Sequence, residues 1–338
     1  MKVTLKDVAA RAGVSEATAS KAINGRGDIA EGTRSAVLDA AAELGYFPAK
    51  RLDPISARPT ITAITDAIDP SYGVEVLRGL VEEGDRRGID IVPHIESENV
   101  QRASSPNEWE SKHLAPRSIG IVTMVYRVRG PVFEVARRRG IPVIAIDPYV
   151  MSKDADVTIS ATNWEGGKTA TEHLIELGHR RIALINGLSD FLPGIERMHG
   201  YRAALEEAGV GVDNDLIFPG RYTFGSGFDA AEEIMRLSEP PTAVFALSDR
   251  MALGAIRAFE SHGIRVPGDI SVIGFDNSPG AELATPALTT IAQPLSDMGR
   301  LAVRTLRDIA AGHSATSTRI KLVTSLVIRS STGSPPSR

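Results

Sequence analysis

The chain has 338 residues, of which 42% are hydrophobic, with 38 Lys and Arg against 42 Asp and Glu, a formal net charge of −4 and no cysteine. Its length predicts two or three domains, and its apolar content is ample for packed cores, so an intrinsically disordered chain is excluded. Disulfides, thiolate zinc sites and cysteine nucleophiles are excluded as well, and no apolar run approaches the ~18 residues needed to cross a bilayer.

The negative charge is not spread evenly along the chain. Residues 1–58 carry nine basic and seven acidic side chains, a net of +2, which leaves −6 for residues 59–338. A basic segment of this size is compatible with a polyanion site and with an ordinary solvated surface. The N-terminus lacks the apolar core of a secretory signal, so we expect a cytoplasmic protein without a membrane partner.

Residues 4–44 predict three short helices. Thr4 followed by Asp7 resembles a capping box at the start of the first helix, and Gly13 ends that helix. Ser15 is expected to cap the second helix, which has one face of small apolar residues and one polar face. Two such helices joined by a tight turn are typical of a helix-turn-helix, although an ordinary three-helix bundle has the same pattern.

The third helix lacks a strong start signal. Ala30 precedes this helix and has no side chain that could cap it, and Gly32 follows closely. We therefore expect this helix to begin late, near Thr33, and to end at Gly45.

The segment Thr4–Gly25 resembles the DNA-binding head of the LacI/GalR family of bacterial repressors almost position for position. The resemblance implies that the second helix enters the major groove of DNA. Three residues match the family's base-reading positions: Glu16, Ala17 and Lys21. Six match positions that contact phosphate or support the helix: Thr4, Ser15, Thr18, Ser20, Asn24 and Tyr46. Lys21 can donate to guanine and Glu16 can accept from cytosine, although Glu16 could also be a solvent residue that repels phosphate.

Residues 48–59 are predicted to be a linker of unusual composition. In the LacI/GalR family this segment contains a short hinge helix and an apolar residue that wedges into the minor groove. Pro54 disfavours a helix that includes Asp53, and Asp53 brings negative charge to a DNA-facing stretch. Leu52 and Ile55 are the candidate wedge residues, and a flexible tether is the alternative.

From Thr60 onward, short β-branched segments alternate with amphipathic helical segments, which predicts parallel sheets with helices on both faces. Residues 133–147 and 256–276 share an order of helix, Gly-Ile, Pro, strand and Asp, so two similar subdomains are expected. Ligands of open α/β sheets bind beyond the carboxyl ends of strands. Polar residues follow several predicted strands there: Asp66, Asp147, Ser189, Asp190, Ser248, Asp249, Asp276 and Asn277. Each could instead be a turn former or a helix cap, Asp249 in particular.

The resemblance to the LacI/GalR family extends through nearly the whole chain. Six segments look like the effector-binding core of these repressors: Thr162–Gly167, His173–Ile182, Arg197–Leu205, Ser248–Gly254, Val266–Asp276 and Pro286–Pro294. The resemblance implies an effector held between two subdomains, with Arg197 and Asp276 at the main sugar-binding positions. It places five further residues in the pocket: Tyr72, Asp147, Tyr222, Ser248 and Gln293. Asp249 is a further candidate because it follows a predicted strand.

These patterns and the resemblance predict an α/β protein with an N-terminal all-α helix-turn-helix head. Two doubly wound parallel-sheet subdomains of the periplasmic-binding-protein type are expected to follow the head. The expected boundaries are 1–47 for the head, 48–59 for the hinge or linker and 60–338 for the effector-binding core. Within the core, the N-subdomain is expected at about 60–160 and 294–320, and the C-subdomain at about 161–293 and 321–331.

We predict a DNA-binding regulator, a repressor, that acts as a homodimer on a near-palindromic operator and responds to a mono- or oligosaccharide. The chain end has no leucine heptads, so no coiled-coil tetramer is expected. No metal, P-loop or nucleophile motif is complete, so we expect no cofactor, no metal and no enzymatic activity. A sugar-binding protein of transport or chemoreception is the main alternative, but it leaves the first 46 residues unexplained. A sugar-processing enzyme is the third hypothesis.

Overall fold

The chain divides into two compact units, residues 1–57 and residues 58–338. The computed structural model describes residues 3–23, 29–44, 46, 58–65, 72–96, 105–115, 117–127, 131–150 and 154–336. Within these ranges, no helix is long and apolar enough to cross a membrane.

The first unit contains the helices α1 (Leu5–Ala12), α2 (Glu16–Ile23) and α3 (Glu31–Glu43). The Asp7 carboxylate accepts hydrogen bonds from the Thr4 backbone N–H (2.8 Å) and hydroxyl (2.7 Å), which fixes the start of α1. Gly13 ends α1 in the left-handed conformation (φ 68°). Small buried residues let the three helices cross closely: Val8, Ala9, Ala19, Ala22, Val37, Ala40 and Ala41.

The expectation that the third helix begins late, near Thr33, is wrong. The helix begins at Glu31, and the Arg34 amide donates to the Ala30 carbonyl (3.0 Å), which closes the first turn. Val37 and two alanines of α3 are buried in the core of the head. Because helices gain most of their stability from such packing, α3 forms without a capping side chain.

The second unit contains two sheets, each flanked by helices, which we call the N-subdomain and the C-subdomain. The N-subdomain has the strands β1 (Thr60–Thr65), β2 (Asp90–Ile95), β3 (Ser118–Met124), β4 (Val143–Ile146), β5 (Val157–Ala161) and β11 (Arg319–Leu322). These strands are all parallel, in the order β11-β5-β4-β3-β1-β2. Its helices are α4 (Gly73–Arg86), α5 (Pro106–His113), α6 (Val132–Arg139) and α12 (Leu295–Ala310).

The C-subdomain repeats this architecture. Its strands are β6 (Ile182–Ile185), β7 (Ile217–Phe218), β8 (Ala243–Ala246), β9 (Ser271–Asp276), β10 (Thr289–Ala292) and β12 (Ser325–Val327). They lie in the order β12-β10-β9-β8-β6-β7, parallel except for β12. Its helices are α7 (Asn163–Glu176), α8 (Leu192–Glu207), α9 (Phe224–Met235), α10 (Asp249–Ser261) and α11 (Pro279–Leu283). The central strands are buried, as parallel strands covered on both faces must be.

The described chain passes between the subdomains at residues 161–163, 292–295 and 322–325. The first and third crossings are hydrogen-bonded to each other. The Thr162 amide donates to the Leu322 carbonyl (2.9 Å), and the Thr324 amide donates to the Thr162 hydroxyl (2.9 Å). The third crossing follows β11, so the expected boundary at residue 320 falls within that strand.

Sequence patterns missed several elements of the second unit, among them α5 and α12. The Ser105 hydroxyl accepts from the Glu108 amide (3.3 Å) and Pro106 is the first residue of α5, so a capping box marked this helix. The helix α8 begins at Leu192, ahead of the segment Arg197–Leu205 that resembles the LacI/GalR family. Pro193 lies in its first turn, where a missing N–H is tolerated.

Three helix pairs pack through glycines that face one another. In α9 and α10, a Cβ at Gly227 would lie 2.0 Å from the Met251 carbonyl oxygen, and a Cβ at Gly254 would lie 2.1 Å from that of Phe224. Such distances leave no room for a methyl group between the two backbones. The other pairs are α4 with α12 through Gly79 and Gly299, and α7 with α8 through Gly167 and Gly200.

We expect Gly227→Ala to destabilise the protein by roughly 1–3 kcal/mol, the usual cost of overpacking. The control is Gly225→Ala in the same helix, where an added Cβ has nothing within 4 Å. Because alanine favours helix, the control should be neutral or stabilising by up to about 1 kcal/mol. Urea unfolding of the full chain measures both. Equal effects of the two substitutions would contradict the packing argument.

Candidate functional site

The predicted base-reading residues lie on the exposed face of α2. Glu16, Ala17 and Lys21 are exposed, whereas Ala19 and Ala22 on the opposite face are buried in the head. The helix therefore presents a carboxylate, a methyl group and an ammonium group on one surface, a combination that can read base edges in a major groove.

The residues predicted to support this helix are held by local contacts. The Ser15 hydroxyl accepts from the Thr18 amide (3.2 Å) and lies 2.8 Å from the Thr18 hydroxyl. Both residues therefore stabilise the start of α2. Thr4 caps α1, Ser20 is half-buried, and Tyr46 packs against the apolar core of the head. Asn24, Leu52 and Ile55 lie outside the described residues, and their roles remain predictions.

A cavity of about 190 Å³ lies between the subdomains, beyond the carboxyl ends of strands from both sheets. Five of the eight predicted effector residues line it, namely Tyr72, Arg197, Tyr222, Ser248 and Asp276. The other lining residues are Thr65, Gly73, Met124, Val125, Tyr149, Leu188, Phe191, Arg221 and Arg250.

Backbone strain is concentrated around this cavity. Among the described non-glycine residues, five have a positive φ: Val125, Asp147, Tyr222, Asp276 and Asn277. Three of them line the cavity, and the other two adjoin or contact lining residues. Such conformations cost about 1–3 kcal/mol each and cluster where function needs a particular geometry. This distribution makes the cavity the candidate functional site of the second unit.

Arg197 is 3% exposed and is held from several sides. Its Nε donates to Asn163 Oδ1 (2.8 Å), and its Nη1 donates to the Leu247 carbonyl (2.7 Å). The guanidinium carbon lies 3.8 Å from the centre of the Phe275 ring. Its Nη2 has no hydrogen-bond partner among the described residues, so it is a donor available to a molecule in the cavity.

Asp276 is placed beside this guanidinium. Its Oδ1 lies 3.7 Å from Arg197 Nη1 and accepts a hydrogen bond from Gln293 Nε2 (2.7 Å). Gln293 Oε1 is buried without a partner in the described structure. Gln293 does not line the cavity itself, so its direct effect is to orient the Asp276 carboxylate.

Asp147 lies behind the cavity wall and is fully buried. It accepts hydrogen bonds from the Tyr72 hydroxyl (2.6 Å) and from the Ser160 hydroxyl. Burial raises the pKa of Asp147, and burial together with the Asp147 charge raises the pKa of Tyr72. Asn163 donates to Ser160 (3.1 Å) and accepts from Arg197. A continuous chain of hydrogen bonds therefore joins the two subdomains beneath the cavity.

Asp249, which was also predicted to contact the effector, does not line the cavity. Asp249 is fully buried, outside the lining, and its carboxylate accepts from the Ser278 amide (2.6 Å) and the Thr290 hydroxyl (2.5 Å). Asp249 therefore anchors the loop that follows Asp276. Ser248 caps α10 instead, because its hydroxyl accepts from the Met251 amide (3.3 Å).

Tyr222 adds an unpaired donor to the cavity wall. Its hydroxyl oxygen is buried and has no hydrogen-bond partner among the described residues. Burial raises its pKa, so the hydroxyl stays protonated. The hydroxyl occupies the space where a Cβ of Gly187 or Gly194 would lie, within 2.2 Å. These two glycines are therefore required for Tyr222 to reach the cavity.

Three residues of the site escaped the sequence analysis. Asn163 lies in a segment that resembles the family, yet nothing in its spacing identifies Arg197 as its partner. Tyr149 and Phe191 line the cavity with ring centres 5.1 Å apart, and Phe191 lies 5.4 Å from Tyr222. Single aromatic residues in loops carry no periodic signal, so the structure alone brings these rings together.

We expect Asp249→Asn to remove a pH-dependent loss of stability. Burial raises the pKa of Asp249 to about 6 in the folded chain, from an ordinary value of 3.8. The stabilising contribution of the protonated group is complete below pH ~4 and is lost as the pH rises through ~6, a change of roughly 3 kcal/mol. Urea unfolding between pH 4.5 and 7 should show the variant gaining stability relative to the wild type as the pH rises.

Asp269→Asn is the control for this experiment. The Arg265 guanidinium lowers the pKa of Asp269 to about 2, so this group titrates below the range tested. The control should differ from the wild type by the same amount at every pH. A flat difference for Asp249→Asn as well would contradict the assignment.

We expect Tyr222→Phe to stabilise the unliganded protein, by up to about 1–3 kcal/mol, because it removes a buried unpaired hydroxyl. Tyr201→Phe is the matched control, since the Tyr201 hydroxyl donates to the Ile182 carbonyl (2.8 Å). That control should destabilise by about 1 kcal/mol. Thermal unfolding without ligand compares the two variants, and destabilisation by both would show that the Tyr222 hydroxyl has a partner.

Comparison with known families supports the division into two units. Residues 4–49 match the family described as bacterial regulatory proteins, lacI family, and residues 171–332 match the periplasmic binding protein-like domain. The HTH-type transcriptional regulator CelR of Thermobifida fusca is 34% identical over 342 residues, which cover 97% of this chain and 98% of CelR. The HTH-type transcriptional repressor PurR of Salmonella arizonae is 33% identical over 338 residues, covering 99% and 98%.

Solved structures of the same family have the same fold. A CelR–cellobiose complex has a TM-score of 0.72 at 32% identity, covering 98% of this chain and 100% of that chain. The lac repressor dimer bound to operator and an anti-inducer has a TM-score of 0.71 at 27% identity, with the same coverage. The predicted fold class is confirmed, and the chain belongs to the LacI family of DNA-binding transcriptional regulators.

Proposed function

We propose that this protein is a homodimeric transcriptional repressor whose affinity for a near-palindromic operator is controlled by a carbohydrate bound in the cavity. The observation that carries the proposal is the buried pair of Arg197 and Asp276, which line one cavity together with the rings of Tyr149, Phe191 and Tyr222. Sugars combine vicinal hydroxyl groups with an apolar ring face. Paired charged groups match the hydroxyls, and aromatic rings match the ring face.

The effector class is supported by the chemistry of the cavity wall. Arg197 Nη2 and the Tyr222 hydroxyl are donors without partners in the described structure, and the Asp276 carboxylate is an acceptor held by Gln293. The Tyr222 hydroxyl is buried, and a buried donor that lacks a partner is costly until a ligand satisfies it. The CelR structure with cellobiose shows that a relative of this chain holds a sugar.

The proposed DNA contacts are confined to the head. Lys21, Ala17 and Glu16 are exposed on one face of α2, and the remainder of the chain is acidic. The dimeric operator complex of the lac repressor supports a two-headed arrangement on two half-sites. Control by the sugar requires that it bind two conformations of the second unit with different affinities. We propose that the protein acts in the cytoplasm, where the operator is, and that it catalyses no reaction.

The proposal is tested with Asp276→Asn and Lys21→Ala. An operator is first selected from random duplexes, and its binding is then titrated at about 0.15 M salt with and without members of a panel of mono- and disaccharides that includes cellobiose. Asp276→Asn should retain operator binding and bind the active sugar roughly 10–100-fold more weakly, because a charged hydrogen-bond partner is lost. Lys21→Ala should retain sugar binding, measured by thermal shift, and lose operator affinity.

Asp269→Asn serves as the control, because this exposed carboxylate pairs with Arg265 on the surface of the C-subdomain. It should behave as the wild type in both measurements. A sugar that stabilises the wild type and Asp276→Asn equally would show that the effector binds elsewhere. Sugar binding without preference for any palindromic duplex would favour the solute-binding alternative, and turnover of the sugar would favour the enzyme hypothesis.

A further inference from the structure

An ion pair joins the two subdomains at the edge of the cavity. Arg127 follows β3 in the N-subdomain, and Asp190 precedes α8 in the C-subdomain. Both terminal nitrogens of Arg127 donate to the Asp190 carboxylate, with Nη2 at 2.9 Å from Oδ1. A two-point, charge-assisted pair fixes orientation as well as distance. The Arg127 side chain is 21% exposed, so water screens this pair less than it screens a fully exposed pair.

The same arginine covers the aromatic part of the cavity wall. Its guanidinium carbon lies 4.4 Å from the centre of the Tyr149 ring, which packs against Phe191. The Leu192 amide donates to the Tyr149 carbonyl (2.9 Å), so a backbone hydrogen bond also joins the subdomains here. The ion pair, the two packed rings and this hydrogen bond form one continuous connection along this edge.

Arg127 is directed toward the C-subdomain by its buried neighbour. The Tyr126 side chain points into the core of the N-subdomain, where its hydroxyl donates to Glu96 Oε2 (2.5 Å). Trp109 Nε1 donates to the same oxygen (3.2 Å), and Glu96 is 1% exposed. A buried carboxylate is stable only with such donors, so Glu96 fixes Tyr126 in place. With Tyr126 fixed inward after the turn at Val125 (φ 43°), the next residue faces the cavity edge.

We propose that the pair of Arg127 and Asp190 is a gate that sets how far the two subdomains separate, and with it the access and residence time of the effector. Glu96 and Tyr126 are positioning residues that hold Arg127 at the gate. The effect on the residence time of the effector rests on the proposed function, whereas the effect on subdomain separation does not require a ligand.

The gate is tested by measuring the distance between the subdomains. The chain has no cysteine, so a label pair can be introduced cleanly at Glu134→Cys on α6 and Glu206→Cys on α8, both exposed. Full-length labelled protein is diluted into an excess of unlabelled protein, so that each observed molecule carries one pair. Single-molecule energy transfer should show Arg127→Met and Asp190→Asn each raising the open population about three- to five-fold, as expected for loss of one partly exposed ion pair.

Combined substitutions separate a gate from two unrelated defects. Asp190→Asn should open the subdomains no further when it is added to Arg127→Met, because Asp190 has then already lost its ion-pair partner. Tyr126→Phe keeps the buried ring and removes the hydroxyl that donates to Glu96. It should raise the open population in the wild type and have no further effect in Arg127→Met. Glu96→Gln should behave in the same way.

Asp269→Asn is again the matched control, since it breaks a two-point Arg265–Asp269 pair within one subdomain. Unchanged distances in both Arg127→Met and Asp190→Asn would overturn the gate. An effect of Tyr126→Phe that persists in Arg127→Met would overturn the positioning role, because a merely structural defect adds to the loss of the pair.

Titration of the labelled protein with cellobiose and the other sugars of the panel distinguishes this inference from the proposed function. A sugar that narrows the distance distribution should dissociate about three- to five-fold faster from Asp190→Asn than from the wild type. Unchanged dissociation would overturn the link between the gate and residence time. If no sugar has an effect while the ligand-free opening occurs as expected, the effector proposal fails and the gate stands.

Discussion

The charge of Arg197 imposes the constraint around which the second unit is organised. A guanidinium cannot lose its proton in a protein, so burying it is tolerated only when its donors are satisfied and a counter-charge is near. Asn163 and the Leu247 carbonyl satisfy two nitrogens, the Phe275 ring covers one face, and Asp276 supplies the charge. The third nitrogen, Nη2, has no hydrogen-bond partner in the described part of the chain, so the cavity favours a ligand with an acceptor at this position.

This requirement links parts of the chain that are distant in sequence. Asn163 is oriented toward Arg197 by its own amide nitrogen, which donates to Ser160 and to the Ala161 carbonyl. Ser160 in turn donates to Asp147, which orients Tyr72. A ligand that forms a hydrogen bond with Arg197 or Tyr72 therefore acts on one hydrogen-bonded network that includes both subdomains. The strained backbone at Asp147 and Asp276 is maintained by this network, and the strain keeps both carboxylates beside the cavity.

Sequence patterns found the elements with strong local signals and the positions that follow strands. The capping residues Thr4 and Ser15 and the strand-end carboxylates Asp147 and Asp276 were predicted, whereas the buried strands β5 and β10 were not. Where a side chain at a strand end points is a different question, because two adjacent residues can face opposite ways. Ser248 faces the cavity while Asp249 turns to the loop at Ser278, and no spacing distinguishes them.

Contacts between distant segments were beyond prediction for a related reason. Arg127 and Asp190 lie in loops 63 positions apart and on different subdomains. Their pairing depends on how the two sheets face each other, which a single sequence does not encode locally. The start of α3 was predicted too late for a different reason. The local capping signal at Ala30 is weak, and packing within the head stabilises the first turn of the helix in its place.

The three crossings between the subdomains lie side by side. Thr162 is hydrogen-bonded to Leu322 and Thr324, and Ala292 pairs with Ser325 across β10 and β12. Crossings joined in this way favour one direction of subdomain motion over others. Bending of the subdomains about the line through the crossings would change only a few backbone torsions. Twisting of one subdomain against the other would break the hydrogen bonds between the crossings. Asn163 and Gln293 lie within two of the crossings and are hydrogen-bonded to Arg197 and Asp276. A ligand that binds these two charged residues is therefore connected by one hydrogen bond each to the line about which we expect the subdomains to bend.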